Sequence, residues 1–101
     1  MAQFDLYLNP DPDTRQVVPY LLDIQHDLHA ASNRRLVVPL ARGQKPIAHL
    51  NPLVEVKGET LTIMTEQMAS IPASLCQHPV TNLEAHRSQI IDAIDFLIQG
   101  F

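Results

Sequence analysis

Cysteine is almost absent from this 101-residue chain: Cys76 stands alone, so no disulfide closes within one copy and nothing calls for an oxidising compartment. With Leu75 and Pro79 nearby, it reads as a buried apolar residue. Glycine is scarce too. Gly43, Gly58 and Gly100 are the three present, too scattered for a phosphate-cradling loop, and no P-loop, dinucleotide fingerprint, H-E-x-x-H or G-x-S-x-G string occurs. Basic residues are outnumbered, 7 Lys and Arg against 11 Asp and Glu, for a net charge of -4. Such a chain repels phosphate backbones, so DNA and RNA are not expected as direct partners. The same field steers a basic peptide or a basic protein patch toward it. No stretch reaches the roughly 18 continuous apolar residues of a membrane span, and Met1 to Tyr7 lacks a basic region followed by an apolar run. The expected location is the cytoplasm, with no membrane partner. Internal repeats and low-complexity tracts are also missing.

Apolar residues make up 46% of the chain, enough to fill the core of one domain over residues 1–101. A chain this short buries only about 60 to 70% of its unfolded surface, which favours association into a dimer. Gln3 to Leu8 alternates with period two and predicts a strand, with Phe4, Leu6 and Leu8 on one face and Gln3, Asp5 and Tyr7 on the other. Asn9-Pro10-Asp11-Pro12-Asp13-Thr14 predicts a loop. Val17 to Gln25 follows as a second strand, antiparallel to the first. After a polar connection from Asp27 to Asn33, Leu36 to Leu40 is a β-branched run in which Pro39 demands an edge or a bulge. A loop from Ala41 to Pro52 precedes a hairpin in which Gly58 turns the chain between Val54-Val56 and Leu61-Thr65. Ile71-Pro72 adds a short strand. Thr81-Asn82-Leu83-Glu84 fits a capping box, and Leu83, Ile90, Ile94, Leu97 and Phe101, widened by Ile91 and Ile98, predict a helix ending at Gly100. The expected architecture is mainly β, an antiparallel sheet curled into a partial barrel with one C-terminal helix packed on it.

Candidate chemistry is sparse. His26 and His29 have the spacing of metal ligands on a helical turn, with Asp23 and Asp27 near, but they read more simply as solvated residues, and no bound metal or cofactor is expected. His49, His78 and His86 are isolated. Arg34-Arg35 precedes a buried strand, where such pairs bridge to acids of their own fold, and Asp23 is the suggested partner. Met64 and Met68 read as core fillers. Two placements suit Phe101 after Gln99-Gly100: folded onto the sheet, or projecting from the helix end as an anchor for another protein.

Several strings taken together resemble the CcdB toxins from end to end. They are Gln3-Phe4 with Tyr7, Asp23-x-Gln25-x-Asp27, Arg34-Arg35-x-Val37-x-Pro39-Leu40, Met64-Thr65, Met68-Ala69-Ser70-x-Pro72, Ala93-Ile94 and the penultimate Gly100. The resemblance implies a homodimer of SH3-like barrels, the fold shared with MazF-like toxins. It implies a non-enzymatic poison that binds the A subunit of DNA gyrase and traps gyrase on cleaved DNA. A CcdA-like antitoxin would wrap the dimer with a disordered C-terminal tail and co-repress the shared operon, so that DNA is met only through that complex. Carried over by position, the gyrase-binding residues are Phe4, Tyr7, His26, Leu28, Asp95, Gln99, Gly100 and Phe101. The loops Asn9 to Gln16 and Arg42 to Asn51 are the implied antitoxin contacts, through Asn9, Asp11, Asp13, Arg15, Arg42 and Lys45. Departures from the family pattern are Gln99 in place of Trp, Asp95 in place of Asn, Phe101 in place of an aliphatic end, and a longer loop after the first strand. Two alternatives stand beside this reading: a MazF-like endoribonuclease, since one fold hosts both activities, and a gyrase-inactive relative retained as an antitoxin partner.

Overall fold

The computed structural model describes residues 2–27 and 31–100. Leu28, His29 and Phe101, named above as candidates, lie outside the described residues. The described chain forms seven strands, β1 (Asp5–Leu8), β2 (Tyr20–Asp23), β3 (Arg34–Ala41), β4 (Leu53–Val56), β5 (Glu59–Ile63), β6 (Ala69–Pro72) and β7 (Thr81–Asn82), followed by helix α1 (Arg87–Gln99). The strands run in the order β4-β5-β3-β2-β1-β7, with β6 beside β3, and every recorded pairing is antiparallel. The result is a curled half-barrel with one C-terminal helix.

Strand alternation divides the apolar residues between two faces. Phe4, Leu6, Leu22, Val38, Leu40, Val54, Val56, Leu61 and Ile63 fill the larger core, closed by Leu83 and by Ile90 of α1. The neighbours of opposite parity, Tyr7 and Val37, form a smaller cluster with Cys76, against which Leu21 and Ile71 pack. Asp23 and Arg35 have the parity of that second face, and both are fully buried there.

Local chemistry explains most boundaries. Lys57 and Gly58 both have positive φ, the signature of a type I′ two-residue turn, which matches the twist of its hairpin. Gly100 takes φ +80, and its N–H donates to the Phe96 carbonyl at 2.8 Å, ending α1.

Pro39 departs from expectation, because it lies in the central strand β3 rather than on an edge. Met64 N–H donates to the Pro39 carbonyl, and in an antiparallel strand a residue's N and C=O face the same side. The missing Pro39 N–H therefore faces the gap where β3 exchanges β6, paired with residues 34–37, for β5, paired with residues 40–41.

Other corrections share a cause in long-range pairing. The expected second strand loses its first residues, Val17 to Pro19, to a loop stapled by Asn9, whose Nδ2 donates to Thr14 Oγ1 and to the Val18 carbonyl. Leu8, expected in the core, is 48% exposed at the end of β1. Thr81 does not cap the helix. It pairs with Leu6 in β7, and Asn82 Oδ1 instead accepts from Glu84 N–H at 2.8 Å, in a single 3₁₀ turn over Glu84–His86 that leads into α1. At the far end of the helix Leu97 and Ile98 are exposed, Ile98 to 74%, so the apolar stripe is buried only through its first two turns.

Candidate functional site

Gln89, Asp92, Phe96 and Gln99 follow one another at three- and four-residue steps and form one face of α1. Across from them stand His49, Asn51 and Pro52, and the cleft between has a volume of about 770 Å³, with Asp95 and Gly100 also in its lining. Both walls are fixed from behind. Ile90 and Ala93 anchor the helix in the core. Buried Asn51 anchors the loop: its Nδ2 donates to the Ile63 carbonyl and to Glu66 Oε1, and its Oδ1 accepts from Ile47 N–H. His49 adopts φ +69, which aims its ring at Phe96, with centroids 5.8 Å apart.

The cleft is acidic. Asp92 and Asp95 both line it, neither belongs to an ion pair among the described residues, and neither Lys nor Arg stands in its walls. Such a surface suits a partner that brings positive charge and hydrogen-bond donors.

Of the carried-over gyrase-binding residues, the structure brings Asp95, Gln99 and Gly100 together in this cleft. His26 is exposed after β2, away from its lining. Phe4 and Tyr7, by contrast, are buried, at 0% and 2% exposure. Phe4 instead sits beneath the start of α1, where the Arg87 guanidinium lies 5.3 Å from its ring centroid. Sequence reasoning missed His49, Asp92 and Phe96. The helical spacing of residues 92, 96 and 99 was available as a signal, whereas the approach of His49, 47 positions before Phe96, was not.

The implied antitoxin loops meet at a second, smaller hollow. Arg42 closes a forked pair on both Glu59 carboxylate oxygens, its Nη1 donates to the Gln16 carbonyl at 2.7 Å, and its backbone N–H donates to the Val17 carbonyl. Hydrogen bonding from Arg42 holds the Glu59 carboxyl below its usual range and raises the Arg42 guanidinium. Asn9 is 6% exposed, and its side-chain amide is hydrogen-bonded within the loop. Asp11, Asp13 and Lys45 are exposed. Among the described residues no group of three or more metal-ligating side chains gathers.

On the second face of the sheet, Arg35 Nε donates to Asp23 Oδ2 at 2.7 Å and Nη2 to the Gln25 carbonyl at 3.2 Å. Burial pushes the Cys76 thiol up, and burial together with nearby Asp5 and Asp23 pushes the Tyr7 phenol up strongly. We predict that Cys76 resists alkylation at about pH 8 in the native chain and reacts once unfolded; timed labelling read by mass spectrometry checks it. Because the fold favours the protonated form of both groups, their stabilisation is complete at neutral pH and is lost as pH climbs above about 9. Melting temperature should therefore fall on the alkaline side, and less steeply in Tyr7→Phe.

Comparison with protein families gives one match that spans nearly the whole chain: the model of the CcdB protein family fits residues 3–100.

Proposed function

The chain belongs to the CcdB family, the toxin side of toxin–antitoxin pairs, and on that premise we propose that it acts as a homodimer that binds the A subunit of DNA gyrase and holds gyrase on cleaved DNA. One observation carries the reading most. Three residues implied by the resemblance, Asp95 and Gln99 of α1 and Gly100 that caps it, share one cleft with His49 and Phe96. The cleft walls are braced by Ile90, Ala93 and Asn51, so little ordering entropy opposes binding. A braced surface that fastens to another machine suits a poison that alters no bond itself.

Phe4 packs in the core beneath the start of α1, whereas Tyr7 belongs to the opposite face of the sheet with Val37 and Cys76. Asp92 joins Asp95 as a second carboxylate aimed at the partner. The departures from the family pattern have a physical sense here: where an aromatic wedge is replaced by Gln99, recognition shifts toward charge. A ribonuclease needs a basic groove to hold RNA phosphates, and two carboxylates in the larger cleft disfavour that activity. A CcdA-type antitoxin relieves the poisoning by covering the toxin dimer, and the pair together represses its operon.

The test is a titration of this protein against the dimerisation domain of gyrase A. Charge reversal by Asp92→Lys with Asp95→Lys should weaken binding by about tenfold or more and flatten its salt dependence. Unchanged affinity in that double variant places the contact elsewhere.

A further inference from the structure

The larger cleft has one wall to which the resemblance gives no role. His49 stands there opposite α1, and its ring meets that of Phe96 with centroids 5.8 Å apart and planes tilted by 45°. The backbone is strained to make this contact. His49 adopts φ +69, a left-handed conformation that glycine takes freely and histidine does not. The side chain is exposed, so core packing does not call for an imidazole at this point. Strain held at an exposed residue in the wall of a cleft is characteristic of a functional position.

The turn that carries His49 is held without help from the imidazole. Asn51 Oδ1 accepts from Ile47 N–H at 3.0 Å, Asn51 N–H donates to the Ile47 carbonyl at 2.9 Å, and Asn51 Nδ2 reaches the Ile63 carbonyl and Glu66 Oε1. The charge of the ring can therefore change while the turn stays closed. Of the side-chain types in the lining, imidazole alone changes charge between about pH 5 and 8. From α1, Asp92 and Asp95 share the cleft with it, Asp92 standing one turn before Phe96. Glu66 lies behind the loop on Asn51, and Lys45, on the loop itself, is exposed outside the lining. A proton on His49 thus places the first positive charge in the cleft, beside its two carboxylates.

We propose that His49 sets the charge of this cleft and with it the affinity for gyrase. Neutral, it leaves Asp92 and Asp95 to a cationic partner; protonated, it answers their charge itself and repels that partner. The inference rests on the gyrase reading and specifies how the same site is regulated: binding weakens as pH falls.

The experiment titrates full-length gyrase A with the unaltered chain and with its His49→Asn and His49→Lys variants, at low salt, from about pH 8 to about pH 5.5. Asn suits a left-handed backbone and carries no titrating group. Lys keeps its cation at every pH used, in a backbone conformation that Lys57 of this chain also adopts. The unaltered chain should lose affinity by about five- to tenfold across the range, and His49→Asn should lose much less. His49→Lys should bind weakly already at about pH 8 and change little below it. Melting temperatures of the three proteins should stay close, and should one variant prove unstable the other decides. An equally steep profile in His49→Asn, a flat profile in the unaltered chain, or His49→Lys binding as tightly as the unaltered chain at about pH 8 overturns the inference and leaves the gyrase reading in place. If the unaltered chain does not bind gyrase A at any pH, both fail.

Discussion

Replacing Asp23 by Ala, or Arg35 by Met, should lower the free energy of unfolding by about 3–5 kcal/mol, because either change strands a charge with no water to receive it. Both side chains are at 0% exposure and meet at 2.7 Å. The loss spreads beyond the pair. Asp23 Oδ1 also accepts from Gln25 N–H, Gln25 Oε1 accepts from Leu36 N–H, and Arg35 Nη2 holds the Gln25 carbonyl. Removing one member therefore loosens the exit of β2 and the middle of β3 together. The sharper expectation concerns the double variant. Asp23→Leu with Arg35→Met removes both charges and should recover a large part of the single-variant loss. Arg35 Nη1 has no hydrogen-bond partner among the described residues, so the pair is imperfectly satisfied there, which favours the apolar replacement. Urea titrations of the four proteins measure this, and a double variant as unstable as the summed singles would refute it.

Phe4→Ala should cost about 3–5 kcal/mol, the range for deleting a buried aromatic ring. For a domain of this length each kcal/mol lowers the melting temperature by about 4–8 °C. The same measurement decides what Phe4 does. A contact residue truncated to Ala keeps the melting temperature and loses gyrase affinity, whereas an interior residue loses stability first. Its backbone adds a second expectation. Phe4 adopts φ +70, a region costing a non-glycine residue about 1–2 kcal/mol. Phe4→Gly should then be no less stable than Phe4→Ala, contrary to the usual ranking of the two residues.

Features set by a few neighbouring residues were legible in the sequence. The Lys57-Gly58 turn and the stop at Gly100 follow from turn and cap chemistry within four positions. Asp23 and Arg35, 12 positions apart, were also legible, because a cation entering a buried strand needs an acid and Asp23 stood on the preceding strand. What failed depended on how far a neighbour reaches. Leu8 has the parity of Leu6, but it lies at the strand end and is left half bare. Thr81 has the chemistry of a cap, yet its backbone is engaged by Leu6. The resemblance named Asp95, Gln99 and Gly100 as one surface, and the fold sets them in one cleft, with His49 across it on a loop that Asn51 helps to pin. It also buries Phe4 and Tyr7, one on each face of the sheet, which alternation alone did not show.

The most direct measurement incubates purified gyrase and plasmid DNA with increasing amounts of this protein, then counts covalently trapped, cleaved DNA. The account predicts trapped complexes that rise with added protein and level off at a fixed ratio to gyrase, with DNA and RNA left intact when gyrase is omitted. RNA cut with turnover by the protein alone, or no trapped DNA at saturation, would contradict it.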